Sequence, residues 1–405
     1  MIIHCIPRIN KSLIAGLLTC FIVLSSCGKD TFGPQQQESF VRFYGGYLKD
    51  EGYDVKVLPD GGYVLTGMLS TEESGTNIVL IRTDKYGNEL WEPRQFGSLM
   101  DDAAYSLQVL PDGGFVILGS TTKETEEGDS YTNMYMIRTT EEGELLWEKE
   151  YGGEFDEVGY NLQITSDGGF ILIGSTESYG YGNKSIWLVK TDSQGDTLWT
   201  RTHGGVNDDV GMFIAETDYG YIYTGNTRSF SRNGQSNANI LIVKTNFLGR
   251  VIYSYTYGGE GNDFGKSVIP LAGGGYFLLG STVNPETNIK NIFLSLVEDD
   301  VSKPLWIKHY GGDINHAAAC FKYKEDESLV ITGTKEISPG NLEIFLLETD
   351  NGGTRNFIRT YGGNGLQRAN AVDLTNDGGY VVTGANELGG NSMITLIKTK
   401  PGGKF

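Results

Sequence analysis

The 405-residue chain carries 51 acidic against 32 basic side chains, a formal net charge of −19. A surface with that excess repels phosphate backbones and anionic lipid heads, so no nucleic-acid partner is expected.

In chain order, residues 1–26 place Arg8 and Lys11 before the apolar run Leu13 to Leu24 and two small residues, the order of a secretory signal. The run is too short for a spanning helix. It ends Leu24-Ser25-Ser26-Cys27-Gly28, which resembles the lipobox of bacterial lipoproteins. The resemblance implies cleavage before Cys27 and acylation of its thiol. Several acyl tails, each buried methylene contributing about 0.8 kcal/mol, make such an anchor effectively permanent. The competing reading is a plain secretion signal with an incidental cysteine. Gly28, rather than Asp, after the cysteine is compatible with outer-membrane sorting, so the expected address is the outer membrane or cell surface, reached by the general secretory route. The anchor is then the only contact with the membrane, and residues 27–38 form a polar tether. Cys5 and Cys20 leave with the signal, so Cys320 is the one thiol of the folded part and no intramolecular disulfide can form. It follows Ala317-Ala318-Ala319 in a strand-like stretch, where a buried, inert thiol is the expected reading.

After residue 39 a period of 51 to 55 residues runs to the end. An aromatic-Gly-Gly corner recurs at Gly45, Gly152, Gly204, Gly258, Gly311 and Gly362, degenerate once as Gly97-Ser98. Asp-Gly-Gly-aromatic stands intact at Asp60, Asp112, Asp167 and Asp377 and is worn down at Asp218, Gly273 and Asp326. Seven residues after each of these comes a glycine: Gly67, Gly119, Gly174, Gly225, Gly280, Gly333 and Gly384. Runs such as Tyr63-Val64-Leu65-Thr66 and Ile78-Val79-Leu80-Ile81, bounded by Gly, Asp and Asn, read as strands, and no helical period competes. Each repeat supplies four strands, which predicts an all-β, seven-bladed β-propeller of four-stranded antiparallel blades over 39–405. An open solenoid would need capping units at both ends. Instead the seventh unit stops after Met393 to Thr399, one strand short, while Ser39 to Tyr44 is a fourth strand with no blade before it. The aromatic five residues before the corner (Phe40, Trp147, Trp199, Tyr253, Trp306, Phe357, with Trp91 one residue further out) gives Phe40 its register. Strand 39–44 is therefore expected to complete the last blade.

The turn Thr191-Asp192-Ser193-Gln194-Gly195 leading to Trp199, echoed from Thr83-Asp84 through Gly87 to Trp91, resembles the Asp, turn, Gly, Trp signature of pyrroloquinoline-quinone-type, quinoprotein-like propeller repeats. The resemblance implies that these tryptophans dock between neighbouring blades. The turn is one residue shorter here, and Thr140, Asn246, Glu298 and Lys400 depart from the aspartate, so only the packing role is carried over. Dehydrogenases of that family commonly show an adjacent-cysteine pair, which this chain cannot supply.

Just past each corner lies a polar position: Asp50, Asp102, Glu157, Asp209, Asp263, His316 and Gln367. Five carboxylates around one channel mouth could take a cation or a basic partner. A side chain recurring in nearly every unit also suits a turn that needs its backbone N–H groups satisfied, and that reading is favoured. The third strands end in Arg82, Arg138, Lys190, Lys244 and Lys398, with Leu296 and Glu348 as exceptions; a basic ring could read anions, but a solvated or carboxylate-paired row is the favoured reading, since acids are plentiful nearby. Loops between second and third strands vary most and hold Tyr131, Tyr179, Tyr181, Phe230 and Arg228, a mixture suited to sugar or peptide recognition but equally to ordinary exposed loops, the reading slightly favoured. His203, His309 and His316 occupy unrelated places in their repeats, so no metal site, cofactor site or nucleophile with its base is read. The turns also fail the Asp-box pattern of sialidases. The expected function is a monomeric, non-catalytic binding or scaffold propeller for a protein or glycan ligand. The alternatives are a glycan-active envelope enzyme using carboxylates at the mouth, and a structural subunit of an outer-membrane assembly complex.

Overall fold

A computed structural model of the chain describes residues 39–46, 48–71, 75–231 and 237–405. The expected signal, Cys27 and the tether lie outside the described residues. Among those residues 28 strands form five four-stranded sheets and one eight-stranded sheet. The larger sheet is two units of four, bridged in parallel at the single pair Leu342 and Leu366. Units 1 to 7 begin at Glu51, Ala103, Glu157, Asp209, Asp263, His316 and Leu366, and pairing within each unit is antiparallel.

Second and third strands are apolar on both faces, as in Phe170–Thr176 and Ser185–Thr191, where every residue is buried. They can be so because each unit is covered on both sides by another. Seven apolar clusters fill the seven spaces between consecutive units. Val64 and Ile78 meet Leu107 and Phe115 between units 1 and 2, and Val330 and Leu346 meet Val372 and Val382 between units 6 and 7. The seventh cluster joins Val381 and Leu396 of the last unit to Val55 and Leu65 of the first. At about 1.5–3 kcal/mol for each fully buried large side chain, these clusters supply the main favourable term. Polar contacts cross the same seam: Val57 N donates to Asp373 Oδ2 at 2.9 Å, and Asn370 Nδ2 donates to Glu51 Oε1 at 2.7 Å. The chain is a closed seven-bladed propeller.

Phe40–Tyr44 closes it, lying antiparallel to Asn391–Thr399 with Phe40 opposite Lys398 and Tyr44 opposite Ile394. Tyr44 buries its ring and donates from its hydroxyl to the carbonyl of Gly87 in the neighbouring unit at 2.8 Å. The same latch from fourth strand to next unit recurs as Tyr151 to Gly195, Tyr257 to Val301, Tyr310 to Gly353 and Tyr361 to Gly403, at 2.6–2.7 Å. Phe96 and His203 hold the corresponding place in units 1 and 3. The borrowed strand thus makes the contacts of a fourth strand. The final turn plays its part too: Lys400 N donates to Lys404 O at 2.7 Å, as Asp84 N does to Asn88 O in unit 1.

The turn glycines take φ between 65° and 78°, and in unit 5 the β-branched Val301 adopts φ 56° in their stead. A Cβ on Gly195 would stand 3.0 Å from the Trp147 ring, and one on Gly143 would stand 3.1 Å from Trp91. The tryptophans therefore pack on the next unit's turn. Unit 1 has a fourth strand of only three residues, Arg94–Phe96. Pro93, just before it, has no N–H to give a ladder, which accounts for Trp91 standing one residue out of register.

Candidate ligand face and central channel

The corner residues are buried within their own units. Asp50 accepts from Gly46 N at 2.5 Å with one oxygen and from Ser70 N at 2.8 Å with the other, tying the corner to the end of the second strand. Asp102 joins Ser98 N to Thr122 N in the same way. Glu157 accepts from Gly153 N, Ser178 N and Thr176 Oγ1, and Asp209 accepts from Gly205 N and Thr227 Oγ1. Asp263 accepts from Gly259 N at 2.7 Å, and burial pushes its carboxyl up to about 6. Gln367 substitutes an amide, accepting from Gly363 N and donating to Asn386 Oδ1, while the Nδ1 of His316 lies 3.0 Å from Ile314 O. These oxygens are engaged by the chain's own amides. Each serves its own corner, and the buried carboxylates present no free acidic ring.

The third-strand cations are likewise engaged. Arg82 pairs with Asp60, Arg138 with Asp112 at 2.5 Å, Lys190 with Asp167 at 2.9 Å and Lys398 with Asp377 at 2.8 Å. Each of those aspartates opens an Asp-Gly-Gly turn of the same unit. Unit 5 lacks both partners, with Gly273 and Leu296, and its Asp299 instead takes Lys244 of unit 4 at 2.6 Å. In unit 6 the charges are exchanged, Lys324 on the turn meeting Glu348 on the third strand at 3.0 Å.

The loop aromatics do not converge. Tyr131 sits on the extended strand Ser130–Thr139. Tyr179 donates to Gly152 O at 2.9 Å, Phe230 stacks on His203 with centroids 5.4 Å apart, and Tyr181 stands 90% exposed. His203 Nδ1 lies 2.7 Å from Tyr223 Oη, and burial lowers the pKa of all three described histidines.

A feature not read from the sequence organises the channel. In every unit the first strand shifts register by one residue opposite the second-strand glycine, between Gly52 and Asp54 in unit 1 and at the equivalent pair in units 2 to 7. At six of these glycines a Cβ would collide with the carbonyl oxygen of the bulged strand; at Gly280 the gap is 2.6 Å. That explains the glycine seven residues after each Asp-Gly-Gly position: the bulge needs a partner without a side chain. The residue each bulge sets out of the ladder is, in order, Tyr53, Tyr105, Tyr160, Met212, Lys266, Ala319 and Asn370. All seven line one central cavity of about 560 Å³. Tyr53 and Tyr105 lie with centroids 5.0 Å apart, and Tyr105 and Tyr160 5.5 Å apart. Cys320, half-buried rather than fully buried, lines the same cavity, and burial pushes its thiol up.

Fold and channel together define residues 39–405 as a propeller of seven four-stranded units around a central cavity. No family model matches the chain. It is similar to the regulatory protein FlaEY of Caulobacter vibrioides, 22% identical over 303 residues, which make up 68% of this chain and 30% of that protein. The chain thus spans under a third of that relative. Among solved structures, Raptor from Chaetomium thermophilum superposes with a TM-score of 0.53 at 10% identity, over 88% of this chain and 29% of that one. Quinohemoprotein alcohol dehydrogenase from Comamonas testosteroni gives 0.45 at 10% identity, over 88% and 76%. At such identity the likeness to Raptor bears on the fold alone.

Proposed function

We propose that the chain is a lipid-anchored propeller of the bacterial cell envelope that binds a protein or glycan ligand without performing chemistry on it. The observation that carries the binding reading is the contrast between two sets of residues. Polar positions that recur in nearly every unit are spent on that unit's own amides. The ring at the bulges changes identity around the axis, from three tyrosines through Met212 and Lys266 to Ala319 and Asn370. A set that breaks the repeat serves the whole molecule rather than each blade, and propeller sites are generally of this kind.

The anchoring rests on Leu24-Ser25-Ser26-Cys27-Gly28 and the charged and apolar segment before it. The non-catalytic reading is supported by the corner carboxylates, whose oxygens already accept N–H bonds and so have little capacity for proton transfer to a substrate. Probing a glycan and peptide array with the purified full-length protein tests the binding reading. Saturable retention of at least one ligand is expected. An array that retains nothing, or a ligand that is turned over, contradicts it. Metabolic labelling with palmitate, lost on Cys27→Ser, tests the anchor.

A further inference from the structure

The channel is assembled from chemistry of one kind on each side. Tyr53, Tyr105 and Tyr160 form an unbroken aromatic arc across units 1 to 3. Ser120 and Ser175 stand beside the hydroxyls of Tyr105 and Tyr160. Below them Gln108 donates to Leu162 O at 3.1 Å and to Gln163 Oε1 at 3.3 Å, a fixed pair of amides spanning two units.

Across the channel stands Lys266. Of the other lysines lining the cavity, Lys56 is matched by Asp54 at 2.7 Å and Lys322 by Asp373 at 3.2 Å. Lys266 has no carboxylate partner among the described residues; burial lowers its pKa, and the neighbouring Lys290 ammonium adds to that. Lys266, Lys290 and Arg368 line an adjoining cavity of about 350 Å³, where Glu387 holds Arg368 at 3.4 Å. Beside Lys266 the bulge of unit 6 carries only Ala319, where units 1 to 3 carry tyrosine, so space lies open next to the unmatched ammonium. In a chain of net charge −19, this interior site is cationic. A partly desolvated cation without a counter-charge is costly, and an anion entering from outside would remove that cost.

Resting on the binding reading above, we propose that the central channel takes a carboxylated sugar, a hexuronate residue of an acidic glycan. The tyrosine faces cover the apolar face of the pyranose ring, the amides of Gln108, Gln163 and Asn370 meet its hydroxyls, and Lys266 meets the carboxylate. An acidic peptide would satisfy Lys266 but leave the three-ring arc without a flat partner.

The test is titration calorimetry of the full-length protein in detergent with tetragalacturonate, maltotetraose and tetraglutamate. Tetragalacturonate is expected to bind about tenfold or more tighter than maltotetraose, with affinity falling as salt is raised, as a charge-assisted contact requires. Lys266→Met should remove that preference, and Ala319→Tyr, which restores the residue of units 1 to 3, should abolish binding. Wild-type melting temperatures of both variants confirm that they fold; should Ala319→Tyr not fold, Lys266→Met alone decides. Equal binding of the two tetrasaccharides, preference for tetraglutamate, or binding unmoved by Lys266→Met would overturn the assignment. So would the absence of any tetrasaccharide binding; retention of another ligand on the array would then leave the broader reading standing.

Discussion

Removing residues 38–44 should cost the propeller most of its stability, because it reopens the ring. Phe40 and Tyr44 are both buried, and the deletion strips the outer ladder from Asn391–Thr399 together with the Tyr44 latch to Gly87. Truncating a buried aromatic costs about 3–5 kcal/mol, so the pair alone accounts for roughly 6–10 kcal/mol. That approaches the whole stability of an ordinary domain, about 5–15 kcal/mol. With an unfolding entropy near 2.1 cal/mol/K per residue, a domain of this size should melt roughly 8–13 °C lower. The control is deletion of residues 28–37, which takes none of these contacts. Circular dichroism melting curves of the two truncations compare them directly. Equal melting temperatures would refute the closure argument, since a strand that only decorates the rim could be lost without consequence.

Gly174→Ala should destabilise by about 3 kcal/mol or more, because the new Cβ meets the carbonyl of Val158 and the bulge must shift. Urea denaturation measures it, and a change under about 0.5 kcal/mol would remove the reason given for the second-strand glycines. Asp209→Ala should lower stability by about 2–3 kcal/mol through the lost bonds from Gly205 N, Thr227 Oγ1 and Ser229 N, read in the same assay. A neutral variant would return Asp209 to the candidates for ligand contact. Burial holds the Asp263 carboxyl at about 6, above its ordinary 3.8. Its contribution to stability is therefore fully present below the ordinary value and lost as pH rises through about 6. Asp263→Asn should abolish that loss, so the wild type should fall relative to the variant in melting scans between those two values; parallel curves would contradict it.

Strands, repeat and closure were legible because each depends on local pattern: apolar runs between turn residues, and an aromatic five places before a corner that gave Phe40 its register. The carboxylate row was visible, but spacing alone does not say whether Asp102 faces solvent or the amides of Ser98 and Thr122. Burial decided that. The pairing of Arg82 and its equivalents was foreseen in kind, since acids crowd the neighbouring turns. The channel ring went unread even though its signal was present. Two residues after each corner residue stands Gly or Ala, and the next position varies from Tyr to Lys to Asn. The meaning of that pair needs the opposed strand, because only there does the second-strand glycine make room for the bulge.

The most direct measurement is a structure of the protein bound to the ligand it retains best on the array. The ligand should lie in the central cavity, against the arc of Tyr53, Tyr105 and Tyr160 and within reach of Lys266. A ligand seated on the outer loops around Tyr181, with the cavity unchanged, would contradict the assignment of binding to the residues that break the repeat.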